Sequence, residues 1–274
     1  MALGNTSIRI IVSLIAIPLI IVACVYGGIP FLIFTLFIGL VAFWEFSKLV
    51  QNKNANVNIV LGYLSVAVII LNSYFKFTDV NTILIGSAVL ILLTELFRNK
   101  NSAIINIGTT LLGVIYFGVV ASTILLIREF FGSSEMLYIE GGYLIISIMV
   151  SIWVCDSAAF FLGSAFGKHK LFPRVSPNKS WEGAIAGFVF SIISMLVAKF
   201  YFVDFLSIQD AIIIGTIVGT IGQMGDLVES LIKRDAGVKD SSAIIPGHGG
   251  IFDRFDSLLL TAPVVYLYLH FFVT

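Results

Sequence analysis

The sequence predicts an all-α, polytopic integral membrane protein of about nine transmembrane helices, and three observations carry that prediction. Hydrophobic residues make up 58% of the chain and charged residues 12%, with a mean hydropathy of +1.04. Soluble domains carry roughly 25% charged residues, so lipid is the solvent for which this composition is suited. Apolar stretches of bilayer-crossing length, roughly 20 residues, recur from one end of the chain to the other. The cations, finally, fall almost wholly on one side of the alternating connections. Net charge is zero, so what matters is where the charges fall, and no nucleic-acid partner is expected. Cys24 and Cys155 sit inside apolar runs and supply neither a disulfide framework nor a CxxC metal spacing.

The spans are expected at about 10–27, 29–50, 58–75, 80–97, 104–127, 142–166, 183–203, 210–233 and 251–273. The first reads as a retained span, because only Arg9 precedes it and no clear small-residue cleavage site follows. With the N-terminus in the cytoplasm, 13 of the 16 cations face that side and only Lys76, Arg128 and Lys199 face the other. The positive-inside rule therefore puts the N-terminus in and, with an odd count, the C-terminus out. The chain divides at 141/142 on this reading: an N-terminal membrane bundle over 1–141 and a C-terminal catalytic membrane region over 142–274.

Near the ends of the second and fourth segments, Glu45 precedes Lys48 and Glu95 precedes Arg98 by three residues, the spacing of a helical ion pair. Both are expected to be paired cytoplasmic helix ends. Glu129, Glu135 and Glu140 read as a solvated acidic loop on the outer side.

The later half is different. Asp156, in the run SIWVCDSAAFFLG, lies ~21 Å into its helix when counted from Gly142. An unpaired carboxylate at membrane depth costs roughly 2.5–3.5 kcal/mol, so Asp156 should face a cavity, a cation or a proton partner. The next loop carries Lys168, Lys170, Arg174 and Lys179, stiffened by Pro173 and Pro177. It ends in Ser176-Pro-Asn-Lys179-Ser180-Trp-Glu182-Gly183, a capped helix start whose amides favour anions. His169 reads as a solvated loop residue.

In the eighth segment Gly215, Gly219 and Gly222 form a close-packing face. Asp226, Glu229, Ser230 and Lys233 follow on one helical face. After a loop through Asp235, Lys239 and Asp240 to Pro246-Gly247-His248-Gly249-Gly250, Asp253 and Asp256 open the last segment on one face, with Arg254 between them. Hard oxygen ligands beside lysines and glycine amides suit Mg²⁺ with a polyphosphate, and no cysteine–histidine set suits zinc. A nucleotide-phosphate site at the membrane surface is what the residues themselves imply.

At these residues the sequence resembles the phosphatidate cytidylyltransferases (CDP-diacylglycerol synthases). Their signature is met by Ser230, Lys233, Arg234, Lys239, Asp240, His248, Gly249, Gly250, Asp253, Arg254 and Asp256 at the right spacings, and the Lys168–Gly183 loop is also similar. The motif-bearing likeness covers roughly Asp156 to Asp256; the first five segments match only in apolar character.

The resemblance implies the reaction CTP + phosphatidate → CDP-diacylglycerol + pyrophosphate. It implies Asp226, Asp253 and Asp256 as holders of Mg²⁺, alone or with a second cation, with Asp156 and Glu229 as second choices. Lys233, Lys239 and Asp240 join the three aspartates in the catalytic set. Lys179, Ser176, Ser180, Glu182, Arg234, His248, Gly249, Gly250 and Arg254 would line the substrate site. Phosphatidate would enter between helices with its acyl chains in lipid. A homodimer in a bacterial inner or plasma membrane, with the site facing the cytoplasm, is expected. Two other readings stay open from the residues alone: a related lipid or polyprenol kinase, and a cation-coupled transporter, for which intramembrane carboxylates are equally expected. The Asp-Gly-x-x-Ala-Arg run of the CDP-alcohol phosphotransferases is absent.

Overall fold

A computed structural model describes residues 5–132, 135–245 and 249–273. Its helices are α1 (Asn5–Tyr26), α2 (Gly28–Gln51), α3 (Ile59–Phe75), α4 (Val80–Arg98), α5 (Ala103–Arg128), α6 (Glu135–Phe166), α7 (Trp181–Tyr201), α8 (Ile208–Asp235) and α9 (Phe252–Val273). Among the described residues, seven of these are long and apolar enough to cross a membrane: α2 and α4 to α9, with α6 counted over Tyr138–Phe166. Val12–Tyr26 within α1 and the whole of α3 are shorter apolar helices. The chain is thus an integral membrane protein, mostly helical.

Helix limits follow local chemistry. Asn58, Asp79, Ser102, Ser180 and Ser207 each turn a side-chain oxygen to a first-turn amide, satisfying groups that a helix start leaves without partners. Gly27, between α1 and α2, has φ +62°, a conformation that only glycine adopts at little cost, so one helix ends and the next begins within one residue. Helix α6 begins at Glu135, seven residues before the expected start, so the stretch from 135 to 141 is helix rather than loop. Counted from its other end at Phe166, Asp156 is ten residues in, roughly 15 Å.

The Lys168–Gly183 loop also holds more structure than expected. Strands β1 (Lys170–Phe172) and β2 (Ser176–Ser180) pair antiparallel, with Lys170 opposite Ser180 and Phe172 opposite Ser176. Pro173 stands in the turn and Pro177 in a two-stranded ribbon with free edges, where its missing N–H is tolerated.

Contacts divide the chain into two compact units, 1–126 with 232–255 and 127–231 with 256–274. In the first unit, Phe43 is fully buried and its ring fills the space that side chains would need at Gly62 and Gly113. Asn106 Nδ2 donates to Glu95 Oε1 at 2.6 Å, and Arg98 pairs with Glu95 at 2.7 Å, so one of the two expected helix-end pairs forms. Glu45 does not follow its counterpart: Lys48 is exposed while Glu45 is buried and engages the 232–255 segment. That segment also meets the N-terminal helices through Lys53–Asp235 at 3.1 Å and Asn52 Nδ2 to the Ala236 carbonyl at 3.2 Å. These bonds are why it belongs to the first unit.

In the second unit α6 packs along α7, and α7 along α8. A side chain at Gly215 would strike the backbone of Ile192, and one at Gly219 the backbone of Phe188, both on α7. At Gly222 the neighbour is Thr261, and at Gly225 it is Asp256 and Ser257, all on α9. The glycine face is therefore occupied inside this unit. Between its two halves α8 contains a π-helical turn, Val218–Gly222. The expected solvated acidic surface is also different: Arg128 is fully buried, donates to the Tyr138 carbonyl at 3.1 Å and stacks over the Tyr138 ring at 4.2 Å. Glu129 accepts from the Tyr138 hydroxyl at 2.9 Å, and Glu140 lies in α6, with one carboxylate oxygen buried. The side chain of Glu135 lies outside the described residues.

Gly215→Ala is expected to destabilise the protein by about 1–3 kcal/mol, the usual range for overpacking a tight contact. Thermal unfolding in detergent measures this as a lowered midpoint.

Candidate active site

The second unit gathers carboxylates. One oxygen from each of Asp226 and Glu229 on α8 and Asp256 on α9 can be chosen so that all three lie within 4.8 Å of one another. Their proximity starts from sequence: Asp226 and Glu229 are one helical turn apart, and Gly225 lets the α9 backbone at Asp256 come close. Ser230 Oγ donates to Asp226 Oδ1 at 3.2 Å, and Lys179, at the end of β2, pairs with Asp226 Oδ2 at 2.7 Å. Asp156 and Lys179 both lie near enough to Asp256 to act on it electrostatically. Asp156 is exposed at the α6 surface, and Glu229 is 1% exposed.

Three clustered carboxylates beside one ammonium concentrate negative charge that a bound cation would offset. All the donors are hard oxygens, which favours Mg²⁺, Ca²⁺ or Mn²⁺ over zinc or copper. Opposite ligands of a six-coordinate ion with bonds of about 2.1 Å lie about 4.2 Å apart, so a spread of 4.8 Å closes with shifts of a few tenths of an ångström. The residues fit a divalent cation. The set that meets these distances contains Glu229, which had been a second choice, together with Asp226 and Asp256.

Asp253 belongs to the first unit and its carboxylate is engaged there. It accepts from Lys233 Nζ at 2.7 Å, Ser241 Oγ at 2.8 Å, and the amides of Ser241 and Gly250 at 3.0 and 2.8 Å. The Gly250 amide donates to Asp253, whose carboxylate sits one turn away at the start of α9. No side chain fits at Gly250, since a Cβ would collide with Ser241 Oγ and the Glu45 carboxylate. Gly249 has φ +84° and its carbonyl accepts from the Ile245 amide at 2.9 Å. Arg234 Nη1 donates to the Val238 carbonyl at 3.2 Å, closing the end of α8, while Lys239, Asp240 and Arg254 are exposed. His248 lies outside the described residues.

The hairpin residues have local work. Ser180 Oγ accepts from the Gly183 amide at 3.2 Å and starts α7, and Ser176 opens β2. Glu182 holds the His169 ring at 2.7 Å and accepts from the His169 amide at 3.2 Å. His169 is thus exposed but paired, and the pair closes the loop from α6 into the ribbon.

Sequence reasoning missed Glu45, Ser241 and Ser242. Glu45 Oε1 accepts from Ser242 Oγ at 2.5 Å and from the Ile251 amide at 2.9 Å. Its Oε2 accepts from Ser241 Oγ at 3.2 Å and from the Phe252 amide at 2.7 Å. The one signal was a carboxylate in an otherwise apolar helix; the i, i+3 lysine masked it.

Comparison with known proteins agrees with this chemistry. A family model described as "Cytidylyltransferase family" matches residues 7–272. A phosphatidate cytidylyltransferase of Bacillus subtilis is 34% identical over 273 residues, covering 96% of this chain and 97% of that protein. One from Staphylococcus saprophyticus is 31% identical over 263 residues, covering 94% and 96%. One from Haemophilus influenzae is 45% identical over 142 residues, covering 49% and 48%.

Asp256→Asn is expected to weaken binding of Mn²⁺, followed by its electron-spin signal in the purified protein, by about tenfold or more, as loss of a charged ligand commonly does.

Proposed function

This chain belongs to the cytidylyltransferase family, and we propose that it transfers the cytidylyl group of CTP to phosphatidate, giving CDP-diacylglycerol and pyrophosphate. The observation that carries this reading is the carboxylate set Asp226, Glu229 and Asp256, beside Lys179, on helices of a membrane protein. An enzyme whose acceptor is a lipid and whose donor is a polyphosphate needs both features.

An oxygen of the phosphatidate phosphate attacks the α-phosphorus of CTP, and the bond from that phosphorus to the bridging oxygen breaks, releasing pyrophosphate. The attacking monoester is already anionic at neutral pH, so no strong general base is required. The barrier lies in bringing two polyanions together, which positioning and fixed positive charge lower. A divalent cation, proposed to be Mg²⁺ and alone or with a second cation, would screen the phosphates and stabilise the leaving group.

In the second unit Asp226 and Asp256, with Glu229 and with Asp156 in reserve, are assigned to the cation. Lys179 pairs with Asp226 until phosphate arrives and then holds the phosphate; Ser176, Ser180 and Glu182 keep its ribbon in place. In the first unit Lys233, Lys239, Arg234 and Arg254 are assigned to phosphate oxygens, with Asp253 and Asp240 orienting the lysines and Gly249 and His248 beside the nucleotide. A catalytic membrane region over 142–274, after an N-terminal bundle over 1–141, is proposed. The site is proposed to face the cytoplasm, with nine spans, the N-terminus in and the C-terminus out; the cation asymmetry supports this. The proposed homodimer rests on the family resemblance alone, because Gly215, Gly219 and Gly222 have neighbours within the chain.

The test is an assay of the purified protein with labelled CTP and phosphatidate, with and without Mg²⁺. Labelled CDP-diacylglycerol should form only with the cation. Phosphorylation of a lipid alcohol from ATP, with no product from CTP and phosphatidate, would overturn the reading. Asp226→Asn and Asp253→Asn should each reduce turnover by about 10²-fold or more while membrane expression is retained.

A further inference from the structure

Glu45 lies far outside the motif-bearing stretch, in a helix that resembles relatives only by its apolar character. Its side chain is nevertheless fully buried and holds two serines and two backbone amides of the segment that contains Asp253. We propose that Glu45 is a positioning residue for cytidylyl transfer: from α2 it fixes Ser241, Ser242 and the start of α9, and through them the Asp253 carboxylate. The proposal rests on the reading that Asp253 and its neighbours serve the nucleotide phosphates.

The bonding pattern is selective. Oε1 of Glu45 takes the hydroxyl of Ser242 and the N–H of Ile251, while Oε2 takes the N–H of Phe252 and competes with Asp253 for the hydroxyl proton of Ser241. The two amides stand at the start of α9, where a helix leaves N–H groups without intrahelical partners. A glutamine could not replace this carboxylate. Whichever way its amide turned, an NH₂ would face the N–H of Ile251 or of Phe252, donor against donor. A general need for helix capping would be met by any acceptor, whereas this arrangement demands two.

Ser241 connects the two acids. Its Oγ lies 2.8 Å from Asp253 Oδ2 and 3.2 Å from Glu45 Oε2, and its single proton can be given to only one of them at a time. The backbone N–H of the same residue also donates to Asp253. Gly250, next to the amides that Glu45 holds, donates to Asp253 as well. Glu45 and Asp253 thus grip the same short stretch of chain from two sides, and a shift at either reaches the other through Ser241 and Gly250. Lys233, paired with Asp253 at 2.7 Å, is set by the same carboxylate.

Glu45→Gln and Glu45→Asp, compared with wild type and Asp253→Asn, test this in the purified protein. For Glu45→Gln, assayed well below its lowered unfolding midpoint, kcat/KM for CTP should fall about tenfold or more, with KM for phosphatidate almost unchanged. Glu45→Asp, which keeps both acceptors, should recover part of that loss. Where Glu45→Gln does not accumulate, Ser242→Ala takes its place; it removes one hydroxyl, leaves both amides capped, and should give a loss of about threefold in the same parameter. Wild-type CTP kinetics in Glu45→Gln beside an inactive Asp253→Asn would overturn the proposal, as would an equal rise of KM for CTP and for phosphatidate. Wild-type turnover in Asp253→Asn would instead overturn the reading of the site on which it rests.

Discussion

A carboxylate taken out of water must be given donors or cations, and that requirement shapes this protein at every acid it buries. Removing the partner of a buried charge costs several kcal/mol, more than most single contacts provide. Glu95 meets the condition with Arg98 and Asn106. Glu45 meets it with two serines and two amides, and Asp253 with Lys233, Ser241 and Gly250. Asp226 has Lys179 and Ser230. In the second unit Asp256 and Glu229 come close to Asp226, a concentration of acids that a bound cation would offset. Structure and chemistry follow from the same electrostatic condition.

That condition also separates two kinds of acid. Glu45 and Glu95 are surrounded by donors belonging to the protein, which leaves them little capacity to bind anything else. Asp226, Glu229 and Asp256 instead bring three carboxylates within reach of one another, as a cation site requires. A phosphate-transfer centre needs both: acids that hold the backbone still and acids that accept a visiting ion. Preorganisation of this sort is where most of the electrostatic benefit of an enzyme site lies.

Much of the fold could be read from sequence because the bilayer imposes its thickness on apolar runs, and the helix positions follow. The carboxylates of α8 and α9 were readable for the same reason: charge in oil is conspicuous. Glu45 escaped because Lys48, three residues on, supplied a local partner on paper, while its real partners lie about two hundred residues away. Arg128 escaped because cations at helix ends are ordinarily solvated, and its cover comes from Tyr138, in the next helix. The ribbon at Lys170–Ser180 escaped because two prolines usually argue against strands. Spacing along one helix is readable; a partner supplied by a distant segment is not.

The π turn at Val218–Gly222 has a geometric consequence of its own. A single extra residue in a helix advances everything beyond it by about 100° of rotation. Gly215, before the turn, and Gly219, at its start, lie against α7; Gly222, its last residue, and Gly225, beyond it, lie against α9. The turn acts as a phase offset between two gears on one shaft, one meshed with α7 and the other with α9. The angular setting of Asp226 and Glu229 is therefore decided a full turn upstream of them, at a place where no charged group stands. Evolution or design could retime this pair by adding or deleting one residue there, without touching an acid.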